Sequence, residues 1–178
     1  MDWPALRLSL WLGLSTVVIL LPFALWLGRH LALQRFAGRG VIEAAVALPL
    51  VLPPTVLGFY LLTAFGAIPP NLREAGATSG MTPWAVFRRV ELPLAWPGIA
   101  TAIVLTFAHT LGEFGVVLMV GGAIPGETRT AAIAIYDRVQ AFDDAAAASM
   151  SALLLVICLV ALLLVQRLTR GIGRRRHG

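Results

Sequence analysis

Charged residues are scarce in this 178-residue chain, lysine is absent and cysteine occurs once. Only 13% of the residues are charged, about half of the roughly 25% that soluble domains carry. Hydrophobic residues make up 58% of the chain, and the mean hydropathy is +0.84. A monomer of this composition would expose apolar patches far larger than water tolerates. Composition therefore excludes an ordinary soluble domain and predicts an integral membrane protein.

The shortage of cysteine and lysine limits the chemistry further. Cys158 lies in an apolar run and has no second cysteine with which to form an internal disulfide, so we predict a packing residue. The tail sequence GIGRRRHG, residues 171–178, lacks the Gly-Lys-Ser/Thr ending of a phosphate-binding loop. The sequence predicts no ATP site, no cofactor and no metal.

All 14 basic residues are arginines, and the net charge is +5. They flank the apolar runs, with five of them after Gln166, which is the pattern that the positive-inside bias predicts. Aromatic residues are not interleaved with them, as a binder of single-stranded nucleic acid would require. We therefore predict lipid and not nucleic acid as a partner. On this interpretation no arginine lies inside a span, and no residue is assigned to hold an anion.

Four stretches are long enough for membrane helices, which need about 20 mostly apolar residues. The predicted spans are Leu6–Leu27, Val41–Ile68, Pro97–Val120 and Ala145–Val165. The hydrophilic regions between and after them are Gly28–Gly40, Pro69–Trp96, Gly121–Asp144 and the basic tail Gln166–Gly178.

Prolines interrupt the second predicted span. Pro53 and Pro54 remove two backbone donors and clash with the preceding helical turn. In lipid, the carbonyls freed in this way need partners inside the protein or in a water-lined cavity. Broken helices are common where transporters line a pathway. Two interpretations stay open: these prolines mark a pathway, or they merely kink a packing helix.

The connection Pro69–Trp96 is unusually well specified for a loop between spans. Asn71 and Glu74 have the spacing of a capping box, which predicts the start of a short helix. This helix is expected to run to Ser79, because Gly80 can take the left-handed conformation that ends a helix.

A second short helix is predicted directly afterwards. Thr82 is a candidate N-cap with Pro83 at the first helical position, and Pro93 is expected to end the helix. An amphipathic helix–turn–helix of this kind fits a groove in a partner protein or lies on lipid headgroups, and the pattern does not separate the two. Its two faces are predicted to carry Trp84, Phe87 and Val90 on one side and Arg88 and Arg89 on the other.

Residues 74–93 resemble a motif of ATP-binding-cassette (ABC) import permeases. Their cytoplasmic loop has the pattern Glu-Ala-Ala, three residues, Gly, nine residues, Ile, one residue, Leu-Pro. This chain keeps the spacing throughout and departs from the pattern in Gly76 for Ala and Val90 for Ile. The resemblance implies that residues 71–93 form a cytoplasmic coupling loop that docks on a separate ATPase subunit. The motif residues are Glu74, Ala75, Gly76, Gly80, Val90, Leu92 and Pro93.

Two further segments resemble molybdate permeases. Leu48–Leu62 is similar to their second span, and Leu111–Tyr136 is similar to the end of their penultimate span with the following loop. Tungstate and sulfate permeases have similar segments. The resemblance implies one transmembrane permease domain over residues 1–178, an all-α polytopic membrane helix bundle of the ABC importer permease type in the cell inner membrane. It also implies a permease homodimer, a pair of ABC ATPase subunits and an extracytoplasmic oxyanion-binding protein.

The chain departs from this family in its number of spans, with about four predicted here where the family has five or six. A further helix normally precedes the conserved loop, whereas here the second span nearly fuses with the loop through Ala67–Leu72. Arginines in both Gly28–Gly40 and Pro69–Trp96 favour the cytoplasm, yet a single span between them would place them on opposite faces. We therefore predict an internal deletion of one membrane helix, unless the second segment is re-entrant.

His109 and Glu113 lie four residues apart in the third predicted span and share a helical face. An ionisable pair inside a membrane is by default a functional hypothesis. No third or fourth ligand appears at metal-binding spacing, and the His-Glu-x-x-His signature of a metalloprotease is absent. The pair is a candidate for helix packing or for lining a pathway, with no catalytic role predicted. Gly112 and Gly115 indicate a close helix contact or a hinge nearby.

The leading hypothesis is the permease subunit of an ATP-driven oxyanion importer, with molybdate as the first candidate substrate. Such a subunit is not an enzyme, because ATP hydrolysis belongs to its partner. The alternatives are a truncated fragment that inserts into the membrane without conducting, a tungstate or sulfate permease, and a membrane-embedded enzyme. The last would need a nucleophile or ligand set, which the sequence does not show.

Overall fold

The computed structural model describes residues 2–33, 41–42 and 53–174, and all regular structure within them is helical. A π-helical turn, Phe87–Glu91, joins the fourth helix to the fifth. The all-α fold class is confirmed. The helices are α1 (Trp3–Leu33), α2 (Pro53–Gly66), α3 (Pro70–Thr78), α4 (Pro83–Val86), α5 (Leu92–Gly112), α6 (Gly115–Gly121), α7 (Ala131–Gln140) and α8 (Asp144–Arg174).

Three helices in the described part of the chain are long and apolar enough to cross a membrane. They are α1, the continuous helix Pro83–Gly112 and the Asp144–Arg167 portion of α8. The second predicted span, Val41–Ile68, is described only at residues 41–42 and from α2 onward. The 14 residues of α2 extend about 21 Å at 1.5 Å per residue, less than the about 30 Å of a bilayer core. Three of the four predicted spans thus have a counterpart among the described residues, whereas the second predicted span lies partly outside them at residues 43–52, so the number of about four stays a prediction.

Pro53 and Pro54 form the first described turn of α2. The first backbone N–H groups of a helix have no intrahelical partner, so proline is tolerated there. The kink predicted at these prolines involves the residues before them, which lie outside the described part of the chain. Both interpretations of the pair, pathway or packing, stay predictions.

The main hydrophobic core forms where α2 packs between α1 and α5. Leu57, Leu61 and Phe65 of α2 are fully buried. They lie against α1 through Ala24 and against α5 chiefly through Ile99. Because this packing is set by apolar side chains on three helices, the part of the second predicted span that is described belongs to the core of the bundle.

Two glycines bring the helices on either side of α2 close to it. A Cβ on Gly28 of α1 would lie 3.1 Å from Cβ of Leu61, and one on Gly98 of α5 would overlap Cβ of Ala64. A side chain at Gly98 thus has no room, and one at Gly28 would require Leu61 to shift. Small residues at such positions allow membrane helices to pack through their backbones.

The helix that begins at Pro83 does not end at Pro93, and that prediction is wrong. Pro93 has no N–H, and in an α-helix its ring would clash with the carbonyl of Arg89. The π turn resolves the clash because its hydrogen bonds span five residues: Leu92 donates to the carbonyl of Phe87. The chain thus passes from the predicted loop into a membrane span as one helix.

The third predicted span, Pro97–Val120, is also wrong in its bounds. The helix starts before Pro97 and ends at Gly112, and α6 begins at Gly115 as a separate element. At the break Glu113 has an extended backbone with ψ 122°. Gly112 and Gly115 flank this break, and neither has a neighbour within 4 Å of an added Cβ, so the described residues show no close helix contact there and the hinge stays a prediction.

Ion pairs distinguish the two ends of the bundle. At one end Glu91 pairs with two arginines, and we call this the basic end (Arg29, Arg73 and Glu91). At the other end one arginine pairs with two aspartates, and we call this the acidic end (Asp2, Arg129 and Asp137). The start of α8 lies at the acidic end, where Met150 packs with Ala5 and Ala134.

The shared partner Glu91 places the ends of α1 and α2 on the same side. Arg29 is near the end of α1, and Arg73 donates to the carbonyl of Phe65 near the end of α2 (2.8 Å). The end of α1 and the end of α2 therefore lie toward the same side of the membrane, while residues 34–40 and 43–52 lie outside the described part of the chain. A single crossing between the two basic connections would have placed them on opposite faces, and the re-entrant alternative fits these ends. The positive-inside bias assigns the basic end to the cytoplasm.

Candidate docking surface

The predicted capping box at the start of the docking loop is wrong. α3 begins at Pro70 after the N-cap residue Pro69, and no side chain caps it. Proline has a fixed φ that favours the first helical position, so the helix has started before Asn71 can act as a cap. Glu74 lies in the second turn of α3 and is exposed.

The turn between α3 and α4 follows the sequence prediction. Gly80 has φ +78° and donates its N–H to the carbonyl of Ala77 at 3.0 Å. Only glycine adopts this left-handed conformation readily. Thr82 caps α4, because its hydroxyl accepts from the N–H of Ala85 (3.3 Å), and Pro83 is the first helical residue.

Gly76 and Val86 hold the two short helices together. Both residues are buried, and a Cβ on Gly76 would lie 3.1 Å from Cγ2 of Val86. The alanine that the family motif has at this position would crowd Val86. The departure from the motif therefore coincides with an especially close contact between α3 and α4.

The exposed and buried residues of α3 and α4 are distributed differently from the two predicted faces. Trp84 is 67% exposed, whereas the motif residues Val90, Leu92 and Pro93 are half-buried at the root of the loop. The buried side chains are Val86 and Glu91, which are five residues apart, the hydrogen-bond spacing of a π turn. The exposed surface, which we call the docking surface, consists of Glu74, Ala75, Thr78, Ser79, Gly80, Trp84, Arg88 and Arg89.

A buried carboxylate anchors this surface to the bundle. Glu91 is 1% exposed. Nε of Arg29 donates to its Oε2 at 2.5 Å, and Nη2 of Arg29 donates to its Oε1 at 3.4 Å. Nε of Arg73 lies 3.3 Å from the same Oε1, as an ion pair without hydrogen-bond geometry. A charge this deeply buried is stable only when paired, so the two arginines account for its position.

Arg73 connects the anchor to α2 as well. Its Nη2 donates to the carbonyl of Phe65. Burial lowers the pKa of Arg73, Glu91 opposes that shift, and the nearby charge of Arg29 adds to it. The side chain stays charged, because the pKa of an arginine lies far above neutrality.

Aromatic rings cover the anchor on the side of the docking surface. The guanidinium of Arg29 lies 5.1 Å from the ring centroid of Phe87, a cation–π distance. The Phe87 ring stacks on Phe65 of α2 at 6.4 Å and lies 5.2 Å from Trp84. Polar and aromatic contacts therefore join α1, α2 and the docking loop at one point.

His109 and Glu113 lie outside this anchor, at the break between α5 and α6. Nε2 of His109 is 3.9 Å from Oε2 of Glu113. Oε1 of Glu113 accepts from the N–H of Val116 at 3.3 Å, which satisfies a backbone donor at the start of α6. This geometry supports the packing alternative. In the described residues no group of three potential metal ligands occurs.

Sequence reasoning missed the anchor and misplaced two arginines. Arg7 and Arg29 both lie within α1, so the expectation of no arginine inside a span is wrong. Glu91 occupies the position that the family motif leaves unspecified. An acidic residue between Val90 and Leu92, directly before an apolar span, is the signal that indicates a need for a buried partner.

The chain matches, over residues 5–174, the family described as the binding-protein-dependent transport system inner membrane component. It belongs to this family. The matched range runs from α1 to the end of α8, so membership applies to the whole described bundle. The chain is accordingly a multi-pass membrane protein of the transport-permease class, and this family's name includes a dependence on a binding protein.

Permeases for two oxyanions are among its relatives. The molybdenum transport system permease protein ModB of Azotobacter vinelandii is 41% identical over 195 aligned positions, covering 82% of this chain and 84% of the relative. ModB of Escherichia coli (strain K12) is 30% identical over 223 positions, covering 99% and 97%. The sulfate transport system permease protein CysT of the same strain is 28% identical over 200 positions, covering 88% and 72%.

The alignment with Escherichia coli ModB reveals an internal difference in length. It extends over 223 positions and uses 99% of this 178-residue chain. Because 97% of the relative is also aligned, its extra residues, which have no counterpart in this chain, lie within the alignment and not at its ends. The surplus of about 45 positions exceeds the about 20 residues of one span and is enough for two.

Proposed function

We propose that this chain is the permease subunit of an ATP-driven molybdate importer. Energy enters where an ATPase subunit docks on the docking surface at the basic end. The subunit works as a homodimer with two ATPase subunits, and an extracytoplasmic protein delivers the oxyanion. The observation that carries the proposal is an exposed helix–turn–helix with family spacing, fixed to the bundle through the buried Glu91.

The docking surface has the properties that a protein partner requires. Its two helices are held rigidly by the Gly76–Val86 contact and the Thr82 cap, so little order is lost on binding. Glu74 on α3 and the exposed Arg88 and Arg89 provide charges of both signs. This arrangement favours a groove with complementary charges over a uniformly anionic headgroup layer, and so favours the protein-docking alternative over the interfacial one.

Reversal of one charge on each face of the membrane tests the docking assignment. Glu74→Lys should reduce co-purification of the ATPase about tenfold or more, since a like charge across an interface costs several kcal/mol. Glu127→Lys is the matched control, because Glu127 is equally exposed but lies in the loop before α7, toward the acidic end. Equal retention of the ATPase by both variants would show that α3 is not the docking element.

Molybdate is proposed as substrate because the relatives with the higher identities quoted above are named as molybdenum permeases. Cells that carry the complete system should accumulate labelled molybdate, and a strain lacking this chain should not. Competition by sulfate at equal concentration would instead support the relationship to CysT. Normal molybdate uptake in the deletion strain would contradict the assignment, as would failure of the restored chain to support uptake, the outcome expected of a non-conducting fragment.

A further inference from the structure

Glu91 lies where three separate elements meet. Arg29 belongs to α1, Arg73 belongs to the first docking helix, and Glu91 itself ends the π turn that leads into α5. The two ionic partners are 62 and 18 positions away along the sequence, respectively. A residue that only filled space at the root of the loop would not need a charge, because apolar side chains surround this site.

We propose that Glu91 is a positioning residue that couples the docking surface to α1. Through Arg73 it holds α3 in place, and through Arg29 it holds the inner end of α1. A displacement of the docking helices by the ATPase is then transmitted directly to the first span. This inference rests on the proposed docking function and names the side chains, Arg73, Glu91 and Arg29, that transmit the movement.

The geometry favours an ionic link over apolar contact as the coupling element. α3 follows the Ile68–Pro69 connection and precedes the Gly80 turn, and both junctions lack regular helix. Its packing on α4 relies on a glycine, Gly76. The contact from α3 to Glu91 therefore links α3 to α5 between two junctions that are not helical. Because Glu91 is buried, this ion pair is screened little by salt.

Arg29 provides the second half of the link. Its guanidinium makes two hydrogen bonds to the carboxylate and also lies over Phe87. The side chain thus contacts both the charged and the aromatic part of the docking loop. Bidentate arginine contacts hold orientation as well as distance, so a rotation of the loop is expected to rotate the end of α1 with it.

The test separates assembly from coupling in the reconstituted complex with its ATPase and binding protein. Arg29→Gln and Glu91→Gln should still retain the ATPase, but the number of molybdate ions imported per ATP hydrolysed should fall about tenfold, a usual size for coupling between two sites. Glu91→Asp should recover part of this ratio, because it restores the charge at a shorter reach. Arg138→Gln is the matched control: Arg138 pairs with Asp143 at 3.1 Å and belongs neither to the anchor nor to the docking surface.

Each outcome decides the inference. A purely structural role for Glu91 would lower the amount of assembled complex and leave the transport-to-hydrolysis ratio of the remaining complex at the wild-type value, and that result overturns the proposal. If Glu91→Gln does not assemble, Arg29→Gln alone decides, since it leaves the Arg73–Glu91 pair in place. Failure of the wild-type chain to retain the ATPase would overturn the proposed function itself, together with this inference.

Discussion

The two ends of the bundle are built on the same plan with the signs exchanged. At the basic end one carboxylate, Glu91, lies between two arginines, and at the acidic end one arginine, Arg129, lies between two carboxylates. Both networks include the nearest end of α1. The central residue is far more buried at the basic end, where the side chain of Glu91 is 2% exposed against 20% for Arg129.

This difference in burial shows how each network is used. The acidic-end network ties the start of α1 to α7, with Nη1 of Arg129 2.6 Å from Asp2 and Nε 2.8 Å from Asp137. Ser9 adds a neutral bond, because its hydroxyl accepts from the N–H of Ala131 at 2.6 Å. Water can reach the central arginine of this network and replace part of its contacts. At the basic end the arginines are also partly exposed, but the central carboxylate of Glu91 is not, so loss of its charge is expected to disturb the bundle more.

The comparison predicts the side of the membrane from which a cysteine at each end of the bundle can be labelled, and this is the largest effect expected. After replacement of Cys158, a single cysteine at Gln34 and one at Thr78 should both react with impermeant reagent only from the cytoplasm. A cysteine at Ala123, beyond α6, should react only from outside. The basis is that α1 and α3 both contact Glu91. Reaction of the Gln34 and Thr78 probes from opposite faces would contradict the placement of the end of α1 and of α3 on one side of the membrane.

Loss of the central charge at the basic end should give the largest change in stability. Glu91→Leu leaves two arginines without their partner and should lower the free energy of unfolding by about 3–5 kcal/mol. Thermal unfolding of the detergent-solubilised protein measures it. The control combines Arg29→Met and Arg73→Met with Glu91→Leu, which removes all three charges and should recover much of the loss. A single variant as stable as the wild type would show that the anchor is not a buried charge network.

Loss of the central charge at the acidic end should cost less. Arg129→Leu removes charged hydrogen bonds to Asp2 and Asp137, and about 1.5–3 kcal/mol is expected because both carboxylates can recover contact with water. The same unfolding assay measures the loss. A cost equal to or above that of Glu91→Leu would reverse the comparison between the two ends.

Substitution of two glycines, one near each end of the bundle, should give the smallest change in stability, and the two sites are closely matched in backbone conformation. Gly80 and Gly126 have φ +78° and +81°, and neither has a neighbour within 4 Å of an added Cβ. Alanine at either position should cost about 1–2 kcal/mol, the left-handed strain of an L-residue. Only Gly80→Ala should also weaken retention of the ATPase. If both variants retained the ATPase equally, the turn at Gly80 would have no part in docking.

Local geometry was predicted best from the sequence where a residue type favours one particular conformation or cap. Gly80 and Thr82 are in this class, since a left-handed turn and an N-cap depend on few neighbours. Prediction failed at Pro93, because a widened turn between Phe87 and Glu91 removes the clash that normally ends a helix. That widening depends on the packing of the whole span, which no local rule contains.

The sites were predicted unevenly for a related reason. Family spacing located the docking surface, whereas the anchor beneath it joins positions 29, 73 and 91, and local periodicity carries no information about pairs so far apart. The side of the membrane on which the two basic connections lie also depended on a contact between residues far apart in the sequence. Arginine counts favoured the same side for both basic connections, whereas the count of predicted spans favoured opposite sides, and the meeting of Arg29 and Arg73 at one carboxylate agrees with the arginines.

The separation of Arg29 from Glu91 also constrains biogenesis. Arg29 leaves the ribosome 62 residues before its partner, an interval of about 3–12 seconds at 5–20 residues per second. During that time the newly inserted first helix carries a cation at its inner end whose carboxylate has not been synthesised. The cytoplasmic surface of the membrane, rich in anionic lipid, is then the natural temporary partner. Arg29 can pair with Glu91 only once the chain has been synthesised as far as the π turn that leads into α5.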